Sequence, residues 1–155
     1  MDLDKRIDAA RPYVLSLYRI VVGLLFACHG ASTVLGMFGG PEGGRPHAGA
    51  WPSWWAGLIQ LVCGVLVCAG SGDRTTRAAA FLGSGAMAYA YFTVHQKRAL
   101  WPIENGGEAA AMFCWSLLLI AAVGPGAWQL ARARLPRRSA DAAADPDRAP
   151  EARLI

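Results

Sequence analysis

Four side chains that can form hydrogen bonds or move a proton interrupt long apolar stretches of this 155-residue sequence: His29, Gln60, His95 and Glu108. Histidine titrates near neutral pH, whereas an amide donates and accepts hydrogen bonds without titrating. Beside an apolar pocket, a few such polar groups can fix the orientation of a bound ligand. In such a site Glu108 or Arg19 would tune the local charge.

The segments that must position these residues are four apolar runs, at 14–35, 54–70, 78–94 and 106–123. Apolar residues make up 54% of the chain and charged residues 17%, against about 25% charged in a typical soluble domain. A helix that crosses a bilayer needs about 20 mostly apolar residues. The runs are apolar all round, which leaves no polar face for water and disfavours a soluble bundle. We therefore predict an all-α, integral membrane four-helix bundle with antiparallel neighbours.

The distribution of lysine and arginine predicts the orientation, because cytoplasmic segments carry the excess of positive charge. One side of the predicted bundle holds Lys5, Arg6, Arg11, Arg74, Arg77, Arg132, Arg134, Arg137 and Arg138, and the other holds Arg45, Lys97 and Arg98. This bias predicts a cell inner-membrane protein whose two termini are both cytoplasmic. Aromatic residues that would mark the two lipid interfaces are Trp51, Trp54, Trp55 and Trp101 outside, and Tyr13, Tyr18 and Trp128 inside.

This orientation places the four polar residues of the first paragraph, each from a different helix, in the outer half of the bilayer. They are predicted to line one pocket that opens to the outer face. Tyr91 lies on the same face of the third helix as His95, and Asn105 precedes the fourth helix. The predicted ligand-binding set is Arg19, His29, Gln60, Tyr91, His95, Asn105 and Glu108.

Each of these residues also has a purely structural interpretation. His29 can serve as a hydrogen-bonded packing residue, and His95 can be solvated at the end of its helix. Gln60 lies on a stripe of small residues and can bond across helices. Arg19 can extend to the lipid headgroups or point inward. Because Gly23 and Gly30 share its face, and small residues mark packed faces, we expect an inward Arg19.

The sequence Asn105-Gly106-Gly107-Glu108 also has the spacing of a capping box. In that motif Asn105 would cap the N-terminus of the fourth helix, and Glu108 would bond back from the third helical position. Such a cap does not exclude a second role for either residue.

Cysteine chemistry and metal binding are not expected. Every cysteine lies inside a predicted span, and there is no Cys-x-x-Cys pair, so a disulfide framework is disfavoured. Two histidines and a carboxylate are possible metal ligands, but no close-spaced ligand pair supports a metal site. The cysteines are Cys28, Cys63, Cys68 and Cys114.

The chain divides into a cytoplasmic N-terminal segment (1–12), a transmembrane domain (13–135) and a C-terminal tail (136–155) expected to be disordered and cytoplasmic. Asp2, Asp4 and Asp8 dilute the positive charge of the N-terminus, so the first run is expected to be a retained span rather than a signal peptide. Gly124-Pro125-Gly126 is expected to end the fourth helix. A short basic helix is expected at 127–135.

Over about residues 18–128 the chain resembles the DoxX family. The resemblance rests on motifs whose order and spacing together are specific: Arg19-x-x-x-Gly23, His29-Gly30, Gly57-Leu58-Ile59-Gln60-Leu61-Val62-Cys63-Gly64, Arg77-Ala78-Ala79, Met87-Ala88, His95, Asn105-Gly106-Gly107-Glu108 and Gly124-Pro125-Gly126. Two departures stand out. Gln60 replaces a glutamate that is frequent in the family, and the Ser-x-Asp that often follows Gly-Pro-Gly is absent. Glutamine carries neither a charge nor a titratable proton, so Gln60 can form hydrogen bonds but cannot act as a carboxylate.

The resemblance implies a four-helix membrane bundle and a link to redox chemistry, since some members are subunits of thiosulfate:quinone oxidoreductase and others associate with oxidative-stress proteins. The chain has no haem, flavin or iron–sulfur motif, so any redox centre must come from a partner. We therefore expect an accessory subunit of a quinone-linked membrane oxidoreductase rather than a stand-alone enzyme. It would have no intrinsic cofactor, but it would bind a quinone whose carbonyl oxygens accept hydrogen bonds from His29 and Gln60. The alternatives are a non-enzymatic partner or assembly factor of a larger complex, and a small carrier or lipid-binding protein. The expected partners are the bilayer and other subunits or further copies of the chain, and not nucleic acid.

Overall fold

The computed structural model describes residues 3–41 and 43–133, and every regular element in these ranges is helical. The elements are α1 (Leu3–Leu35), a 3₁₀ turn (Met37–Gly39), α2 (Ser53–Ala69), α3 (Asp73–Ala90), a π-helix (Tyr91–His95), α4 (Pro102–Asn105), α5 (Glu108–Val123) and α6 (Leu130–Ala133). The prediction of an all-α fold is confirmed. The predicted tail at 136–155 lies outside the described residues.

Two helices begin well before their predicted starts, whereas α2 and α5 begin within two residues of theirs. Helix α1 begins at Leu3 and continues through Pro12, well before the predicted start at 14. Helix α3 begins at Asp73 rather than at 78. In both places charged residues limit the stretch that lipid would cover, but they do not prevent helix formation. An acidic residue such as Asp73 in fact stabilises the first turn of a helix.

Helices α1 and α2 run antiparallel and approach closely through glycines. A Cβ atom added to Gly23 would lie 2.8 Å from Cα of Cys68, and one added to Gly64 would lie 2.7 Å from Cα of Ala27. Because glycine has no side chain, the two backbones pack directly against each other. The residues that the sequence places on the Gly23 stripe of α1 therefore face α2.

The four long helices contact one another in the order α1, α2, α3, α5, and α5 returns to α1. Their shared interior is filled by side chains. Phe26, Val67, Leu117 and Ile120 each have no solvent exposure, and Met87 is also buried. Since each long helix supplies part of this cluster, the packing fixes all four relative to one another.

Large apolar side chains cover the outside of the same helices. Representative exposed residues are Leu24 on α1, Val65 on α2, Phe81 on α3 and Trp115 on α5. By length and composition, α1 is the one described helix long and apolar enough to cross a bilayer, while α2 and α5 are apolar but shorter. The chain thus has apolar residues on both its inner and outer surfaces.

The two ends of the helix assembly differ in composition. At one end, which we call the arginine end, Arg19 and Arg77 bond to the terminal carbonyls of α2 and α5. At the opposite end, the tryptophan end, lie Trp51 and Trp55 at the start of α2 and Trp101 before α4.

Candidate ligand-binding site

Three of the predicted site residues, Tyr91, His95 and Asn105, come together at the tryptophan end. The His95 Nδ1 atom lies 3.2 Å from the carbonyl oxygen of Asn105. The Tyr91 and His95 rings are stacked, with centroids 6.5 Å apart. Both rings belong to the π-helix, a rare element found most often at functional sites. The sequence analysis placed Tyr91 and His95 on one face but gave no signal for the π-helix.

Asn105 is the most buried residue of this cluster, with an exposure of 2%. Its Nδ2 atom donates to the carbonyl of Ala99 at 2.9 Å, and its Oδ1 atom accepts from the Gly107 amide at 2.7 Å. The side chain thus bonds to the turn before α4 and to the turn after it. The backbone carbonyl of Asn105 is the group that contacts His95.

The contact with Asn105 selects the tautomer of His95. A carbonyl oxygen only accepts hydrogen bonds, so Nδ1 must carry the proton when the ring is neutral. The Nε2 atom is then an unprotonated acceptor, for which no partner occurs among the described residues. His95 is therefore suited to receive a hydrogen bond or a proton from a ligand hydroxyl.

The predicted capping box at Asn105–Glu108 is wrong. The residue that caps α5 is Gly107, and no side chain bonds to the free amides of the first turn. Asn105 instead ends α4, and Glu108 is the exposed first residue of α5. The spacing was misleading because Pro102 starts a separate short helix, which places Asn105 at a C-terminus rather than at an N-terminus.

His29 lies in a different setting, on the outer face of α1 beside α5. Its ring meets the edge of Phe113, with centroids 5.4 Å apart and planes at 82°. The His29 side chain is exposed, and neither ring nitrogen has a hydrogen-bond partner among the described residues. His29 lines a shallow recess of about 230 Å³ with Cys28, Ser32 and Phe38.

Phe38 in this recess has an unusual backbone. Its φ of 55° and ψ of 30° lie in the left-handed region, which bulky residues rarely adopt. Its ring is 69% exposed. Such strain is often found where a side chain is held for binding. The sequence analysis missed Phe38, and its position between Met37 and two glycines gave no chemical signal.

Gln60 belongs neither to the cluster of Tyr91, His95 and Asn105 nor to the His29 recess. Gln60 is half-buried and directs Nε2 toward Sδ of Met87 at 3.8 Å, which joins α2 to α3. Tyr91 lines a second recess of about 280 Å³, whose other lining residues are Ala88, Phe92, Pro102, Ala111, Cys114 and Trp115. His29 and Tyr91 therefore border separate recesses.

Arg19 lies at the opposite end of the assembly, and the prediction that it points inward is confirmed. Its exposure is 1%. The Nε atom donates to the carbonyl of Pro125 at 2.8 Å, and Nη2 donates to that of Trp128 at 2.5 Å. The Nη1 atom donates to the last carbonyls of α2, those of Val67 and Cys68. Arg19 thus joins the end of α2 to the segment that follows α5.

Arg77 does the same for the end of α5, a role that the sequence analysis missed. Its Nη1 atom donates to the carbonyls of Ala121 and Ala122 at 2.8 and 2.7 Å. Its Nε atom also pairs with the Asp73 carboxylate at 3.1 Å. The sequence signal was available, because an arginine one turn into α3 must lie beside the end of an antiparallel α5.

Comparison with known proteins identifies the family of the chain. The DoxX family model matches residues 14–96. An uncharacterized protein of Haemophilus influenzae is 36% identical over 127 residues, which cover 80% of this chain and 92% of that protein. No solved structure matches the chain. The family match and this relative together show that the chain belongs to the DoxX family.

Proposed function

We propose that α1, α2, α3 with its π-helix, and α5 all cross the inner membrane, with the arginine end in the cytoplasm. The exposed apolar side chains on each of these helices would face lipid. At about 1.5 Å per residue, α2 with 17 residues and α5 with 16 residues reach about 25 Å. That is slightly short of a hydrocarbon core of about 30 Å, a mismatch that the flanking loops and a thinner bilayer can accommodate.

The arginine clamps support this position. Because α2 and α5 are slightly shorter than the hydrocarbon core, their last carbonyls would have little water to bond, and each unsatisfied group in the core costs several kcal/mol. Arg19 satisfies the end of α2 and Arg77 satisfies the end of α5 from within the chain. The excess of lysine and arginine at this end favours the cytoplasmic side.

Within the membrane, we propose that the chain is an accessory subunit of a quinone-linked oxidoreductase and contacts the quinone headgroup at His29. The observation that carries this proposal is the exposed His29 ring, which has no partner for either nitrogen within the described chain. A polar group that faces lipid without a partner is costly, so a ligand or a neighbouring chain is expected to cover it.

The surroundings of His29 favour an aromatic headgroup. A neutral imidazole has one N–H donor, which can bond a quinone carbonyl oxygen. Phe38 lines the recess, and the Phe113 ring packs edge-on against His29, so both provide apolar ring surface near the imidazole. Because His29 is exposed on α1, a quinone in the lipid could reach it from outside the bundle. A partner protein would supply the redox centre, since this sequence has no motif for one.

A second function is favoured by the packed interior. Phe26, Leu117 and their neighbours leave the centre of the assembly filled, as expected for a non-enzymatic partner or assembly factor. In that case His29 would bond to a polar side chain on a neighbouring transmembrane helix rather than to a ligand.

The two functions are separated by the His29→Leu variant in nanodiscs that contain quinone, with His47→Leu, an exposed loop histidine, as the matched control. The first function predicts that His29→Leu lowers the bound quinone roughly three- to tenfold, the value of one lost hydrogen bond, while His47→Leu does not. If quinone binding is unchanged and co-purification of a stoichiometric partner is lost instead, the second function is correct.

A further inference from the structure

Arg19 and Arg77 bond helix ends in the same way but differ in how their charge is balanced. Arg77 has an exposed side-chain fraction of 36% and pairs with Asp73. Arg19 is buried, with a residue exposure of 1%, and no carboxylate pairs with it among the described residues. The less buried arginine therefore has a counter-ion and the more buried one does not.

Carbonyl groups do not fully replace that missing anion. The bonds from Arg19 to Val67, Cys68 and Trp128 satisfy donors and use the negative end of the α2 dipole. They remove no net charge, however. A buried cation is normally paired with an anion, because an isolated charge in a low-dielectric region is expensive.

An open recess adjoins this charge. Its volume is about 440 Å³, and it is lined by Arg19, Ile20, Cys68, Ala69, Ala127, Trp128, Gln129 and Leu130. The guanidinium of Arg19 has five N–H donors, and four of them bond to carbonyls among the described residues, so one donor is left over. The Gln129 amide at the rim adds a donor group, which bonds to the Gly126 carbonyl at 3.1 Å.

The recess also lies at the depth where lipid headgroups are expected. Trp128 packs edge-on against Tyr13 at 5.8 Å, and such amphipathic rings concentrate at the membrane interface. The exposed residue Arg74 belongs to the same end, as does Arg11, which pairs with Asp8 at 3.0 Å. Basic pockets on the cytoplasmic side of helix bundles are suited to anionic lipid headgroups.

We propose that the Arg19 recess binds the phosphate group of an anionic phospholipid at the cytoplasmic side of the bundle. The lipid phosphate supplies the counter-charge that the described chain lacks, and its acyl chains lie along the exposed apolar surface of α1. This inference rests on the membrane position proposed above, but not on quinone binding.

Native mass spectrometry of the full chain, released from detergent, tests the proposal with three probes: phosphatidylglycerol, phosphatidylcholine and inorganic phosphate. We expect one phosphatidylglycerol to be retained at least about tenfold more than phosphatidylcholine, as a single charge-assisted contact implies. Equal retention of the two lipids would overturn the proposal. Displacement of phosphatidylglycerol by millimolar phosphate would assign the recess to a free anion and overturn the lipid source.

Two substitutions on α2 make the test independent of Arg19, whose loss is expected to affect folding. Ala69→Phe fills the recess, whereas Val65→Phe adds the same side chain at an exposed position one turn earlier. The preference for phosphatidylglycerol should disappear in Ala69→Phe and persist in Val65→Phe. A preference that survives in Ala69→Phe contradicts the proposal. A chain that stays in solution without detergent would instead contradict the membrane position itself.

Discussion

The Nε atom of Arg19 donates a 2.8 Å hydrogen bond to the carbonyl oxygen of Pro125, a residue 106 positions further along the chain. This bond joins the first helix to the segment after the last long one. It is reinforced nearby, where the Trp128 amide donates to Ser16 Oγ at 3.0 Å and the Ala127 amide donates to the Pro12 carbonyl at 3.0 Å. The arginine end is therefore closed by contacts between the two extremes of the bundle.

Replacement of Arg19 by lysine should destabilise the protein although it keeps the positive charge. Lysine has a single ammonium group in place of the planar fork, so it cannot reach the carbonyls of Cys68, Pro125 and Trp128 together. Leaving buried acceptors unpaired should cost about 2–4 kcal/mol. Unfolding in detergent measures this loss, and Arg74→Lys, at an exposed position, should be neutral within about 0.5 kcal/mol. Equal stability of the two variants would show that the fork is not needed.

The close approach of α1 and α2 predicts a contrast between two glycine-to-alanine substitutions. Gly64→Ala places a Cβ atom 2.7 Å from Cα of Ala27, so the helices must separate, at a cost of about 1–3 kcal/mol. Gly85→Ala is the control, because nothing lies within 4 Å of the added atom. Alanine favours helix over glycine, so Gly85→Ala should be neutral or stabilising by up to about 1 kcal/mol. Thermal unfolding of both variants provides the measurement, and a tolerated Gly64→Ala would contradict the packing described here.

The clamp at the end of α5 should depend on the carbonyl contacts of Arg77 more than on its ion pair. The Asp73 carboxylate is 59% exposed, and exposed pairs contribute about 0–1 kcal/mol. Asp73→Asn should therefore change stability little. Arg77→Ala removes the bonds to Ala121 and Ala122 and should cost about 2–3 kcal/mol. The reverse order of effects, measured by unfolding in the same detergent, would show that the ion pair dominates.

The turn at the tryptophan end should require both halves of the Asn105 amide. Asn105→Asp keeps the acceptor for the Gly107 amide but loses the donor to the Ala99 carbonyl. It should cost about 1–3 kcal/mol, since a buried carbonyl is left unpaired. Hydrogen exchange should become faster around α4 and the π-helix, while Glu104→Gln, at an exposed neighbour, leaves exchange unchanged. Unaltered exchange in Asn105→Asp would mean that the turn is held by other contacts.

The sequence was sufficient for the elements whose signals are local and long. Apolar runs identified the four long helices, and Gly124-Pro125-Gly126 correctly predicted the end of α5, where Gly124 is the capping residue. The glycines on the Arg19 face correctly indicated an inward arginine, because close packing needs small residues on the side that is buried.

The candidate site was harder to predict because its geometry depends on contacts between elements. The sequence analysis assigned the polar residues to one half of the predicted bundle, but it could not predict the direction in which each side chain faces. His29 turned out to face outward beside Phe113, while Gln60 faces Met87. Because the short helix α4 was not predicted, Asn105 was assigned to the start of a helix, whereas it lies at the end of one. The left-handed backbone of Phe38 had no signal in the sequence. A ligand-binding role for Arg19, His29, Gln60, Tyr91, His95, Asn105 and Glu108 as a set stays a prediction.

The measurement that most directly tests the membrane position is the labelling of single cysteines from each side of the membrane. Ser71→Cys lies in the turn between α2 and α3 at the arginine end, and His47→Cys lies in the loop between α1 and α2 near the tryptophan end. In a background without the native cysteines, an impermeant maleimide should label His47→Cys in intact cells, and should label Ser71→Cys only after the inner face is exposed. Labelling of both positions from the same side would contradict the account, since α2 would then not cross the membrane.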